Sequence, residues 1–174
     1  FFFFYLARVG AEPIRRAAIV KATIQEIGRA VSFEVTVAQI AARAGVSSAL
    51  AHHYFGSKES IFVAAMRHVL TLFGAEVRGA LAVADDPKAR VEAIIRASFG
   101  TSSFRREVVS AWLNFYVLAL TMPDAKRLYL IYRRRLHSNL VHGLHPLVGT
   151  ARASSVAEGL AALAWAEACA ESAR

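Results

Sequence analysis

Apolar residues recur every three or four positions over most of the chain, and polar breaks divide the pattern into about eight helical segments. Ile19, Ala22, Ile24 and Ile27 define the core-facing side of a helix over residues 14–30, with Pro13 placed as a first-turn proline. Thr36-Val37-Ala38-Gln39 has capping-box spacing, and Ala44-Gly45-Val46 ends the short helix it opens. Ser47 caps a second short helix that runs to about Phe55. After the break at Gly56, Ser57 caps a longer helix through Ile61, Ala65 and Val69 toward about Leu81. Further helices are expected over 87–100, from 104 to about 121 after Ser102-Ser103, from Pro123-Asp124 to about His145, and over 151–172 after a turn from Pro146 to Thr150. No period-two alternation points to a strand, and no repeat or low-complexity linker intervenes. The expected fold is all-α, with a three-helix helix-turn-helix domain over residues 11–57 and a helical domain over residues 58–174.

The segment Thr36–Lys58 carries the most information. Gly45 supplies the positive φ that a sharp turn between two helices needs, and Ile40, Ala41, Ala44 and Val46 can fix the second helix against the first. That arrangement projects one face of the second helix outward, and an α-helix fits the DNA major groove. Spacing alone leaves an ordinary αα-hairpin open as the alternative.

Composition adds modest constraints. The chain has 174 residues and a formal net charge of +8, which suits a polyanionic partner. The excess is evenly spread: residues 1–70 hold eight Lys/Arg against four Asp/Glu, and residues 71–174 hold thirteen against nine. Charge therefore supports DNA binding only weakly. The longest apolar stretch, Val108 to Met122, is shorter than the roughly 20 residues of a membrane span, so no membrane partner is expected. Phe1 to Leu6 lacks a basic leader and a long apolar core and does not read as a signal peptide. Cys169 is the sole cysteine, which excludes an intrachain disulfide, and a cytoplasmic location is expected.

No nucleophile with its base and no set of converging carboxylates and histidines is legible, so an enzyme is not expected, nor a cofactor. His142, His145 and Glu158 do not form a metal set, and adjacent His52 and His53 diverge by roughly 100° on a helix. Arg133-Arg134-Arg135 spreads around its helix, as a solvated face or a source of intersubunit ion pairs would.

The run Ile40–Phe62, with Gly45-Val46-Ser47, Tyr54-Phe55 and Ser57-Lys58-Glu59, resembles the DNA-binding signature of TetR-type repressors. The resemblance implies double-stranded DNA with a palindromic operator as partner. It casts Ser48, Ala49 and His52 as base readers, Thr36 and Ser47 as phosphate contacts at helix starts, and His53, Tyr54 and Lys58 as further phosphate contacts. Plain solvent exposure is the alternative for both histidines. The chain departs from the family pattern at Val31-Ser32, where a glycine usually ends the first helix, and at Ala51, where a larger apolar residue is usual.

Farther on, Ala111–Phe115, Met122-Pro123, Arg127-Leu128 and Arg134–Leu140 resemble the BetI-type branch, repressors of glycine-betaine synthesis that respond to choline. The resemblance implies a homodimer joined through the last two helices, and a small-molecule effector, with choline expected. A lipophilic cation or fatty acyl compound is the alternative. Trp112, Phe115 and Tyr116 share a helix face at i, i+3 and i+4, Tyr129 and Tyr132 lie three apart on the next helix, and Glu107 is a nearby carboxylate. Aromatic faces hold quaternary ammonium ions through cation–π attraction, worth ~2 kcal/mol or more when desolvated. Core packing is the other reading of the same stripe. In place of the apolar run usual near the end of the last helix, the chain has Ala164-Trp165-Ala166-Glu167-Ala168-Cys169.

Overall fold

A computed structural model describes residues 2–30, 34–98 and 105–172, with residues 2–10, 106, 164–165, 167–169 and 171–172 described in their backbone alone. Every regular element among the described residues is a helix: α1 (Phe2–Ala30), α2 (Val37–Ala44), α3 (Ser48–Phe55), α4 (Lys58–Ala82), α5 (Pro87–Ser98), α6 (Arg106–Thr121), α7 (Pro123–Val148) and α8 (Thr150–Ser172). The expected turn at Val31-Ser32, the Ser102-Ser103 start, and the side chains of Trp165, Glu167 and Cys169 lie outside the described residues.

The caps behave as local chemistry dictates. Thr36 and Gln39 form a capping box at α2, and the Ser47 and Ser57 hydroxyl oxygens accept the amides of Leu50 and Ser60 at 3.2 and 3.1 Å. Such caps are each worth roughly 1 kcal/mol. The prolines are less obedient. Pro13 lies inside α1 rather than at its start, and Pro146 falls inside the last turns of α7, which ends at Gly149 with φ +76°. A proline deletes one amide and crowds one turn, yet each helix continues through its own.

Three apolar clusters hold the helices together. Ile19, Ala22 and Ile27 of α1 join Ile40, Ala41 and Ala51 beneath α2 and α3. Val63, Met66, Val69, Val108, Phe115 and Ala125 join α4, α6 and the start of α7. Val77, Ile94, Leu140, Leu144, Ala153 and Ala157 join α4, α5, α7 and α8. Helix α4 is threaded through all three, contributing Ile61 and Phe62 to the first, Met66 to the second and Val77 to the third. It is also long and apolar enough, by length and composition, to cross a membrane, yet these residues are packed inside the protein.

Two polar side chains in the core find partners within their own helices. Thr23 Oγ1 donates to the Ile19 carbonyl at 2.7 Å, and Asn114 Nδ2 donates to the Ser110 carbonyl at 2.6 Å. Arg43 of α2 pairs with Glu26 of α1, tying the short helix to the long one.

Candidate DNA-binding surface and effector cavity

Helices α2 and α3 are joined by Gly45 in the left-handed region, φ +67° and ψ +32°. A Cβ there would meet nothing within 4 Å, so conformation alone, not space, requires glycine. Val46 N–H donates to the Ala41 carbonyl at 3.0 Å and closes the turn. Ala51 is wholly buried, so its small side chain seats α3 directly on the cluster below. The opposite face of α3 carries Ser48, Ala49, His52 and His53, all exposed.

Cap chemistry divides the two hydroxyl residues. Thr36 accepts the Gln39 amide at 3.2 Å and donates its own proton to Gln39 Oε1 at 2.9 Å, so both roles stay within the cap. Ser47 accepts the Leu50 amide, which leaves its hydroxyl proton for a further partner. Tyr54 is half-buried and packs against the first cluster with Phe55. Lys58 opens α4, its ammonium 5.6 Å from the Phe62 ring centroid. Beside it, hydrogen bonds from the Glu59 backbone amide and from Ser57 hold the Glu59 carboxyl below its ordinary pKa, as a helix N-terminus favours.

Sequence reasoning missed Arg16. From α1 its guanidinium donates to the Tyr54 carbonyl at 2.7 Å and stands 4.6 Å from the Phe55 ring centroid and 5.7 Å from that of Tyr54. It thus places a cation on the carbonyl end of α3, where the helix dipole is negative. Residues 38 positions apart give no local signal of such a bond. Arg16→Ala is expected to weaken specific DNA binding about tenfold and to lower stability by roughly 1–2 kcal/mol, as loss of a charged hydrogen bond would. Fluorescence anisotropy and thermal melting check the two effects.

The expected aromatic residues do meet. Trp112 stacks on Tyr116 with centroids 5.6 Å apart and approaches Tyr132 at 4.8 Å, and Tyr116 meets Tyr129 edge-on at 5.3 Å. Phe73 of α4, absent from the sequence reading, joins through Tyr132 at 5.9 Å. Phe115 is 2% exposed and packs in the core cluster of α4 and α6, the other reading of the stripe.

Burial, and to a lesser degree the neighbouring Tyr129, push the Tyr132 hydroxyl up to about 12. The unfolded chain therefore releases this proton first, near pH 10, and stability is lost as pH climbs from there through 12. A loss of about 2 kcal/mol is expected over that window, and Tyr132→Phe should abolish it in denaturant titrations at pH 9 and pH 12.

A cavity of about 260 Å³ opens beside the ring cluster, between α1, α4 and α6. Trp112 and Phe73 form aromatic walls, Glu76 and Glu107 bring carboxylates, His68 lies on the α4 side, and Lys21 and Arg105 bring cations. Arg105 and Glu107 pair at 3.9 Å. Tyr132 faces larger grooves on either side of α7, and Tyr129 one of these. Glu107 also touches the DNA-binding end of the molecule. Gly28 of α1 is buried so closely against α6 that a Cβ there would lie 2.3 Å from Glu107 Cβ and 2.5 Å from its Cα. Among the described residues no group of three or more His, Cys, Asp or Glu is placed to hold a metal.

A helix-turn-helix with an exposed second helix, mounted on a helical body with its own cavity, is the plan of a DNA-binding regulator that answers to a small molecule. The family model for bacterial regulatory proteins of the tetR family matches residues 19–65, and that for the C-terminal part of BetI-type transcriptional repressors matches residues 87–171. The HTH-type transcriptional regulator BetI of Brucella suis is 48% identical over 158 residues, 91% of this chain and 80% of that protein. Its namesake from Rhizobium meliloti is 45% identical, over 91% of this chain and 78% of that protein. The crystal structure of a transcriptional regulator from Pseudomonas aeruginosa superposes with a TM-score of 0.80 at 24% identity, covering 94% of this chain and 81% of that one. A regulator from Saccharomonospora viridis, crystallised in complex with choline, gives 0.76 at 23%, covering 86% and 80%. The chain belongs to the TetR family of transcriptional regulators, in its BetI-type branch. It is a ligand-responsive DNA-binding repressor and not an enzyme, and a DNA-binding homodimer is consistent with that family.

Proposed function

We propose that the chain represses betaine-synthesis genes and leaves its operator when choline occupies the cavity between α1, α4 and α6. The observation that carries this reading is the pairing of aromatic walls, Trp112 and Phe73, with the carboxylates Glu76 and Glu107 in one cavity. A quaternary ammonium has no proton to donate, so ring faces and carboxylate charge are the groups that recognise it. The name of the Brucella relatives and the choline complex of the Saccharomonospora regulator point the same way.

In this reading residues 11–57 form the DNA-binding domain and 58–174 the effector and dimer domain. Ser48, Ala49 and His52 face bases, while Ser47, His53, Tyr54 and Lys58 lie along phosphates; Thr36, whose amide and hydroxyl both bond Gln39, holds the start of α2 instead. Helices α7 and α8 pair with those of a second copy, which covers Leu130, Ile131, Leu147 and Leu163, now exposed. The two α3 helices then address half-sites roughly 34–36 Å apart. Choline acts only by binding one spacing of these heads better than the other. The Gly28–Glu107 contact carries the difference from the cavity to α1.

A thermal-shift comparison of choline, betaine aldehyde and lipophilic cations tests the effector. Choline at a hundred times its Kd should add about 2.7 kcal/mol of stability. A shift with a lipophilic cation, and none with saturating choline, would reassign the cavity.

A further inference from the structure

We infer that His52 reads the operator as a hydrogen-bond acceptor, its Nε2 taking a proton from the exocyclic amino group of an adenine or a cytosine. The inference rests on the base-reading role proposed above for His52.

His52 Nδ1 lies 3.2 Å from the Gly56 carbonyl oxygen. A carbonyl oxygen only accepts, so Nδ1 carries the hydrogen of that bond. In a neutral imidazole the other nitrogen is then a lone-pair acceptor. The bond is part of a clasp: Gly56 N–H donates to the His52 carbonyl at 2.7 Å, while the Gly56 carbonyl receives the His52 ring. Gly56 sits at φ +79°, a conformation that L side chains rarely adopt. The backbone turn that ends α3 thus selects both the orientation and the tautomer of the ring.

The two ring nitrogens point to different sides of an imidazole. With Nδ1 turned onto the chain, Nε2 is directed away from Gly56, and the residue is exposed on the open face of α3. In the major groove, adenine N6 and cytosine N4 are donors, whereas guanine N7 and O6, adenine N7 and thymine O4 are acceptors. A fixed acceptor at Nε2 pairs with the first set and is repelled by the second. A histidine held in the other tautomer would have the reverse preference.

The full-length chain and its His52→Ala variant are each selected against a random duplex library at pH 8.5, where an imidazole is ordinarily neutral. A base-reading His52 gives one position per half-site whose preference disappears in the variant. If no position flattens, His52 reads no base, and the inference falls with that reading. At the flattened position, each base pair is then altered one group at a time. Deleting the amino group, with purine for adenine or 2-pyrimidinone for cytosine, should weaken wild type about five- to tenfold and leave His52→Ala unchanged. A 7-deazaadenine or 7-deazaguanine at the same pair, which loses N7 but keeps every exocyclic group, should leave wild type unaffected. If loss of purine N7 or O6 weakens wild type while amino deletion costs both proteins equally, Nε2 is a donor and the inference is overturned.

Discussion

Gly28→Ala is expected to lower the melting temperature by about 6–12 °C, from a loss of roughly 3 kcal/mol in a chain of this size. The added methyl would lie 2.3 Å from Glu107 Cβ and 2.5 Å from its Cα. Backbone stands on both sides of that contact, so no rotamer change relieves it, and α1 and α6 must part. The effect contrasts with Gly45→Ala, where the Cβ meets open space and the cost is only the left-handed backbone, about 1–2 kcal/mol. Because α1 also supports α2 and α3, the Gly28 variant should lose operator affinity at temperatures where it is still folded. Differential scanning calorimetry with anisotropy titrations at 15 °C separates the two effects. A melting temperature within 2 °C of wild type would show that α1 and α6 are not in this contact.

Trp112→Ala should abolish the effector response and cost about 3 kcal/mol of stability. Its ring contacts those of Phe115, Tyr116 and Tyr132 and also forms a wall of the cavity. Losing it removes packing from three neighbours and a cation–π face from the ligand together. Choline affinity should fall at least tenfold by calorimetric titration, with DNA binding at low temperature kept within about threefold, since Trp112 packs on the α4–α6 cluster and not on the one beneath α3. Trp112→Phe should restore most of the stability and part of the affinity. Unchanged choline affinity in Trp112→Ala would move the ligand to one of the grooves beside α7.

What the sequence revealed of this fold was what depends on near neighbours. Thr36, Gly45, Ser47 and Ser57 each act within four residues of themselves, and each does what its type and spacing dictate. The prolines were misleading because a proline's cost falls on one turn and does not by itself fix where a helix begins or ends. Pro13 reads as a start, yet α1 begins at Phe2. Beside the cavity, the face shared by Trp112 and Tyr116 was legible from spacing, as was its grouping with Tyr129 and Tyr132, although of the four only Trp112 lines the cavity itself. The contribution of α4 was not, since Phe73 and Glu76 look like ordinary positions on a long helix until another helix lies across them. Arg16 and Gly28 were hidden for the same reason. One bonds across 38 residues, and the other matters only because α6 comes to rest on it.

Threading α4 through all three clusters also links the cavity to the helix-turn-helix by continuous packing. Its N-terminal residues Ile61 and Phe62 are packed with the helix-turn-helix, whereas Phe73 and Glu76, farther along, reach the cavity. In the proposed reading, a ligand that moves α4 at the cavity is felt at the helix-turn-helix through this packing.

The most direct test is a titration of a duplex from the gene's own upstream region, with and without choline, followed by anisotropy and by mass of the complex. Two copies of the chain should bind one palindrome, with affinity falling steeply as salt rises and at least tenfold when choline is added. A chain that stays monomeric and ignores the duplex even in dilute salt would contradict the account at its root.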